Sequence, residues 1–329
     1  GEGPFYGRVT IKAGGSADEF ATDVSYTYPR SGRTVSRTGR ALIYTGFQWR
    51  GRTMVGQDDA TSLREVMMVD RDWQTVSGRW FNGSYDEHGL DVRLVRIGRE
   101  TIVSGLDRAA LRKGAPAETV RLFGANLPVN VAPRDVDFGR GVTVSRVVSA
   151  TADVLSVEVS VAPDAPIGVH DVFVTGVAAR TAVAVYDKVD AIKVTPGWGL
   201  ARVGGVVFPK MFAQFEAIGF SNGPDGKPDT KDDLNLGPVE ASWTIEEYTA
   251  TYDDDDRKFV GEVANTTGLF TPALDGPNPA RSGNRNNVGD VWVVATHKPA
   301  TGEPLRGRGH LVVTVPLYMR WDFFTLNQR

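Results

Sequence analysis

The chain has 329 residues, more than one hydrophobic core usually organises, so two or three domains are expected. Its net charge is -3 and no third of it is basic enough to suggest a phosphate-binding surface for nucleic acid. It contains no cysteine, which excludes disulfides, zinc–thiolate and iron–sulfur sites, thiol catalysis and haem attached through Cys-x-x-Cys-His.

Taken from the N-terminus, GEGPFYGRVTIKAG lacks a basic stretch followed by an apolar one, so no signal peptide is expected in this chain and the segment reads as the lead-in to a strand. The runs YGRVTIKAG, DVSYTYP, GRALIYTGFQWRG, SLREVMMVD, WQTVSGRWF and LDVRLVRIG are β-branched and aromatic and are separated by Gly, Pro, Asp and Ser. Ala41, Ile43, Phe47 and Trp49 fall on one face of a strand, and Val92, Leu94 and Ile97 mark another with room for a bulge. Over residues 1–113 this spacing predicts an antiparallel β-barrel, because closing a sheet removes its exposed edges.

A boundary is read at LRKGAPAETV. Residues 114–190, from ETVRLFGANLP to RTAVAVYD, predict a small immunoglobulin-like sandwich without a disulfide staple. Its core is expected to rest on Leu122, Phe123, Val144, Val147, Leu155, Val157, Val159, Val172 and Val174. Residues 191–329 predict a larger immunoglobulin-like sandwich, with AIKVTPGWGLARVGG, KMFAQFEAIGF, ASWTIEEY, TGLFTPA, GDVWVVATH and GRGHLVVTVPLYMRWDFFTL as its strand-bearing runs. Two long loops interrupt it, at 222–233 and at 275–287, the second a surface excursion. The fold class is therefore all-β: an N-terminal antiparallel β-barrel followed by two immunoglobulin-like β-sandwich domains. No run approaches the roughly 18 apolar residues of a membrane span.

The segment 221–256 is acidic, with eight Asp and three Glu against two Lys. Aligning Gly226 with the turn glycine of a helix-loop-helix calcium loop places Asp225, Asp229 and Asp232 at ligand positions but Ser221 and Gly223 at the first two, so that motif fails. A looser calcium site from Asn222, Asp225, Asp229, Asp232 and Asp233 stays open beside the favoured reading, a Pro-Asp-Gly turn with solvated carboxylates. Asp253 to Asp256 read as a solvated hairpin tip. His88, His170, His297 and His310 are too dispersed to form a local metal pair and read as surface or strand-end residues. No Gly-x-Ser-x-Gly elbow or phosphate loop is present, and RVGGVV lacks the helix a dinucleotide site needs. Trp49, Trp80, Trp243 and Trp292 read as core, while Trp73 and Trp198 adjoin turns and are free to be exposed. The residues alone give no catalytic, cofactor-binding or metal-binding set.

FGANLP, DVDFGRGVTVSRVVSATADVLSVEVSVAPDAPIGVHDVFVTG, GFSNGPDGKPDTKDDLNLGPVEASWTIEEY and TGLFTPALDGPNPARSGNRNNVGDVWVVA resemble the third and fourth domains of the alpha subunit of quinohemoprotein amine dehydrogenase. The first third, with GRWFNGSYDEHGLDVRLVRIG, is similar to that subunit's second domain, a β-barrel. The resemblance implies a periplasmic complex that oxidatively deaminates primary amines. In that family a dihaem cytochrome domain of the alpha subunit carries haem c, a β-propeller forms another subunit, and a small subunit bears cysteine tryptophylquinone. With no cysteine, this chain carries neither haem attachment motif, and no haem ligand or quinone-forming residue transfers to it. The expectation is a non-catalytic scaffold holding the propeller and quinone-bearing subunits. The alternative is a free-standing binding or cell-surface protein that reuses the same β domains.

Overall fold

The computed structural model describes residues 2–249, 254–300 and 302–318. The alternating N-terminal runs form seven strands, β1 (Tyr6–Ala13), β2 (Glu19–Thr27), β3 (Thr34–Tyr44), β4 (Gln48–Met54), β5 (Leu63–Val69), β6 (Thr75–Phe81) and β7 (Gly89–Val95). Each pairs antiparallel with the next. The sheet curls as a half-barrel, and among the described residues no ladder joins β7 to β1. The β1 edge is protected by cover instead of closure. Tyr6 stacks on Phe123 at 4.7 Å and donates its hydroxyl to the Leu106 carbonyl at 2.9 Å, and Arg8 pairs with Asp153.

Two expected strand faces are shorter than the sequence suggested. GRALIYTGFQWRG divides at a turn where Gly46 and Phe47 have φ 77° and 61°, so Phe47 leaves the face shared by Ala41, Ile43 and Trp49. Ile97 lies past the end of β7 and is exposed. The concave face of the sheet buries Val24, Tyr26, Ala41, Trp49, Met67, Val69, Trp80 and Val92, which form its core.

The middle unit stacks the sheet of Ile102–Leu106, Glu118–Ala125, Val142–Ala150 and Val154–Val161 over two small three-stranded sheets. Of the expected core, Leu122, Leu155, Val157, Val159, Val172 and Val174 are buried together, with Val144 and Val147 packed at the margin. Phe123 points the other way, to Tyr6. Ile102–Leu106 and Ala110–Arg112 precede the 113/114 boundary read from the sequence, yet they pair with the middle sheets and contribute Val103, Leu106 and Leu111 to that core.

The last unit repeats this construction. In the middle unit Ile102–Leu106 runs antiparallel to Glu118–Ala125, and the chain then crosses so that Ala110–Arg112 runs parallel to Val183–Tyr186. In the last unit Ala191–Thr195 runs antiparallel to Glu216–Ser221, and Trp198–Arg202 runs parallel to Leu305–Thr314. A leading strand split between two facing sheets ties both layers of a sandwich together. Between those layers lie Phe215, Trp243, Phe270, Val291, Val293 and Leu311. The C-terminal run expected to continue as strand lies outside the described residues beyond Tyr318.

The units are docked, not strung. Leu234 and Leu236 of the last unit pack with Ala184 of the middle one. Arg121 donates to the Pro29 carbonyl at 2.6 Å, and the Gly3 amide donates to Glu216 Oε1 at 3.2 Å.

Candidate functional site

The acidic loop 222–233 joins two antiparallel strands, Glu216–Ser221 and Leu234–Pro238, so strands and not helices flank it. Its carboxylates accept from the loop's own donors. Asp225 Oδ1 takes the Lys227 amide at 2.8 Å, Asp232 Oδ2 takes the Asp225 amide at 3.1 Å, and Asp233 Oδ2 takes the Asp229 amide at 3.0 Å. The Thr230 hydroxyl lies 2.8 Å from Asp232 Oδ1, and with the Asp225 amide it holds the Asp232 carboxyl below the usual range. Asp229 pairs with Lys193 at 3.3 Å. The Asp225–Lys227 contact is an Asx turn, and Asp232 and Asp233 likewise satisfy backbone donors that the short connection would otherwise leave open.

The second acidic run is not a solvated tip. Asp253 lies outside the described residues, but Asp255 and Asp256 fold back onto Arg281, which is 3% exposed. Arg281 Nη2 lies 2.6 Å from Asp255 Oδ1 and 2.5 Å from Asp256 Oδ1, while its Nη1 donates to the Asn286 and Val288 carbonyls. Asp256 Oδ2 accepts the Asp290 amide at 2.9 Å. A buried guanidinium needs its charge matched and its five donors filled, and this pairing does both. It also pins the 275–287 loop, a surface excursion held down at Arg281.

The four histidines stay apart. His170 Nδ1 lies 2.9 Å from the Phe138 carbonyl and His297 Nδ1 lies 2.7 Å from the Glu240 carbonyl. Burial holds His88 below the usual imidazole range, and its Nδ1 has no partner among the described residues. His310 Nε2 lies 2.8 Å from Asp290 Oδ2, and its ring stacks on Tyr248 at 3.9 Å. This His–Asp pair sits on the outer face of the sheet. Trp198, His310 and Trp292 are register partners across three strands there, so Trp292 faces outward, contrary to its reading as core. Trp49, Trp80 and Trp243 are buried, and Trp73 and Trp198 are exposed.

Two buried carboxylates went unnoticed in the sequence. Glu65 stands on the concave face of the half-barrel between Gly51 and Trp80, its register partners. A Cβ on residue 51 would lie 2.6 Å from Glu65 Oε2, so only glycine leaves room for the carboxyl. Trp49 Nε1 donates to Oε2 at 2.6 Å. Burial pushes the Glu65 carboxyl up to about 7, against the opposing pull of the Trp49 hydrogen bond and the Arg37 charge. The signal was readable: Leu63, Glu65, Met67 and Val69 share one strand face, and a lone acid among apolar residues is out of register.

Glu87 lies in the turn between β6 and β7, and Arg202 of the last unit donates to its Oε1 at 2.8 Å. Gly83, at φ 78°, gives the other oxygen its space, since a Cβ there would lie 2.1 Å from Oε2. Nothing in the local sequence signals this pair, because its partners are more than a hundred residues apart.

Chemically these groups support structure. Among the described residues no three His, Cys, Asp or Glu side chains converge as metal ligands, and the sequence has no cysteine for a covalent haem, so this donor set does not fit the c-type haem of the resembled complex. A cleft of about 590 Å³ lies where Arg30 of the first unit faces Glu216, Trp243, Thr267 and His297 of the last.

Residues 1–97 match the family model described as quinohemoprotein amine dehydrogenase, alpha subunit domain II. Residues 100–187 match that for alpha subunit domain III, and residues 192–323 that for alpha subunit domain IV. No curated protein matches the chain. Among solved structures it is similar to SGBP-B of the Bacteroides ovatus mixed-linkage glucan utilization locus, in complex with a mixed-linkage heptasaccharide, at 14% identity and a TM-score of 0.28. The match covers 94% of this chain and 61% of that one. The human desmocollin-1 ectodomain matches at 9% identity and a TM-score of 0.20, covering 84% of this chain and 47% of that one. At such scores neither structure informs the function.

Proposed function

The chain belongs to the quinohemoprotein amine dehydrogenase alpha subunit family, and from that premise we propose that it is a non-catalytic scaffold in a periplasmic complex that oxidatively deaminates primary amines. It holds a β-propeller subunit and a small quinone-bearing subunit. The observation that carries this reading is the uninterrupted order of the three family matches, II, III and IV, along one chain.

The chemistry of the chain is in keeping with it. The redox groups of such a complex, haem c and cysteine tryptophylquinone, both need cysteine, and this chain has none. What the chain supplies is relative position. Three β units are held against one another by an inter-unit ion pair, stacked rings and a shared apolar contact.

Assay of the purified chain beside the fraction from its native source tests the proposal. The chain alone is expected to show no amine-dependent dye reduction and no haem absorption, while immunodepletion of the chain removes amine dehydrogenase activity from the native fraction. Turnover by the isolated chain, or activity that survives depletion, contradicts it.

A further inference from the structure

The connection between Trp198–Arg202 and Ala213–Gln214 presents apolar residues where turn chemistry favours polar ones. Arg202 and Met211 exchange backbone hydrogen bonds at 2.9 and 3.1 Å. Inside them the Gly205 amide donates to the Phe208 carbonyl at 2.7 Å, which closes the turn around Val206 and Val207. Gly204 runs so close to Pro209 that a Cβ there would stand 2.6 Å from the Pro209 carbonyl, and Gly205 has φ 92°. The two glycines let the chain double back, and the reversal pushes the valines out, to 67% and 66% exposure.

Other apolar side chains gather beside them. Leu274, 56% exposed, is a bridge partner of Gly204, and its Cδ2 would lie 3.1 Å from a Cβ on Gly205. Val315 is exposed as well, and its carbonyl accepts from Arg202 at 3.4 Å. The Tyr318 ring meets Phe208 edge to face at 5.2 Å and stays 61% exposed. Single apolar residues on a surface are ordinary, but a contiguous group marks a surface that something covers. The group is also held in shape. Arg202 is tied to Glu87, and Leu274 leads into the loop pinned by Arg281, so covering the patch requires no loop to be ordered first.

Tyr318 is the last described residue before the C-terminal run, so the chain passes out of the described residues inside this patch. Residues 319–329 read MRWDFFTLNQR and include Trp321, Phe323, Phe324 and Leu326. Three residues of chain span at most about 11 Å, which keeps Trp321 near Phe208, the ring partner of Tyr318. We propose that segment 319–329 folds back on Val206, Val207, Leu274 and Tyr318 and covers them with Trp321 and Phe323. On so short a tether it reaches the patch at a higher effective concentration than a separate molecule does. The charges agree: Lys210 and Asp275 flank the patch, one of each sign, and Arg320 and Asp322 bring one of each sign to it. The match to alpha subunit domain IV runs through residue 323, so Trp321 and Phe323 fall within the unit they cover. Nothing in this contact depends on the scaffold reading.

Hydrogen exchange of the purified full chain, read by mass spectrometry on peptides covering 319–329, tests the contact. Three chains are compared: wild type, Val206→Ser with Val207→Ser, and Trp321→Ser with Phe323→Ser. The valines are exposed and the second pair lies outside the described residues, so neither variant touches a core, and unchanged exchange in the strand Gly289–His297 confirms that the fold is kept. In wild type the segment is expected to exchange at least about tenfold more slowly than an unstructured chain, at every protein concentration. Each variant should bring it to within about twofold of the unstructured rate. Exchange at the unstructured rate in wild type overturns the proposal, and so does protection that either variant retains. Protection that fades on dilution assigns the patch to a second copy and overturns it as well. Protection that appears only when a co-purifying subunit is added back assigns the patch to that subunit, with the same consequence.

Discussion

Arg202 donates to Glu87 across the boundary between the first and last units, at 2.8 Å, with the Glu87 side chain 1% exposed. The pair joins two residues far apart in sequence and fixes the β6–β7 turn against the last sandwich. Arg64 and Arg79 hold the same turn from its own unit, donating to the carbonyls of Gly83 and Tyr85.

Removing one partner of a buried pair leaves the other charge uncompensated. Glu87→Ala is expected to lower unfolding stability by about 3 kcal/mol in urea titration. Replacing both residues by methionine should recover much of that loss, since it removes the unpaired charge together with its partner. A single-variant loss below about 1 kcal/mol would show that the pair is screened by solvent.

Glu65 makes the half-barrel sensitive to pH. Its folded value, about 7, exceeds the ordinary value of 4.5, so the folded state binds the proton more tightly than the unfolded state does. Stability from this group is greatest below 4.5, declines as pH rises to about 7, and stays low above it. Glu65→Gln removes the dependence. The variant's advantage over wild type should grow across that window to a plateau on the order of 3 kcal/mol, measured as denaturant midpoints at pH 5, 6, 7 and 8. Parallel curves for the two proteins would mean that Glu65 does not titrate in this way.

Arg281→Met leaves Asp256, beside Gly289, without its cation and Asp255 with Arg285 alone, and it unpins the 275–287 loop. The expected outcome is a loss of about 3 kcal/mol and first proteolytic cuts within 275–287. In wild type, with that loop clamped, the first cuts should fall in 222–233. The same cutting order in both proteins would contradict the clamp.

The 222–233 loop spends its carboxylates on its own amides, and the unfolding midpoint should agree to within about 1 °C in millimolar calcium and in chelator at matched ionic strength. A real site would add about 2.7 kcal/mol with calcium a hundredfold above its dissociation constant, a shift of several degrees. Such a shift, abolished by Asp225→Asn with Asp229→Asn, would make the loop a metal site.

Alternation carried most of the fold into view, because a half-buried antiparallel strand must place apolar residues at every second position. It failed where both faces are apolar. In VWVVA, Val291 and Val293 point inward and Trp292 outward, and period two alone does not say which set is core. Glu65 was legible as the wrong residue in the inward register of LREVMMV. Asp255 and Asp256 were not, since a run of acids reads as solvated until Arg281 is brought beside it by the fold. The two strands at 102–112 read as part of the first unit because sequence proximity is the only guide before pairing is known, and their partners lie downstream. Family membership came through long segments in a fixed order, a signal that survives where no single site motif exists.

The scaffold claim is tested most directly by native mass spectrometry of the complex recovered on an endogenously tagged chain. The account predicts a defined assembly in which the chain is present in fixed ratio to a β-propeller subunit and a small subunit bearing a quinone. Recovery of the chain alone, or with proteins of neither kind, would contradict it.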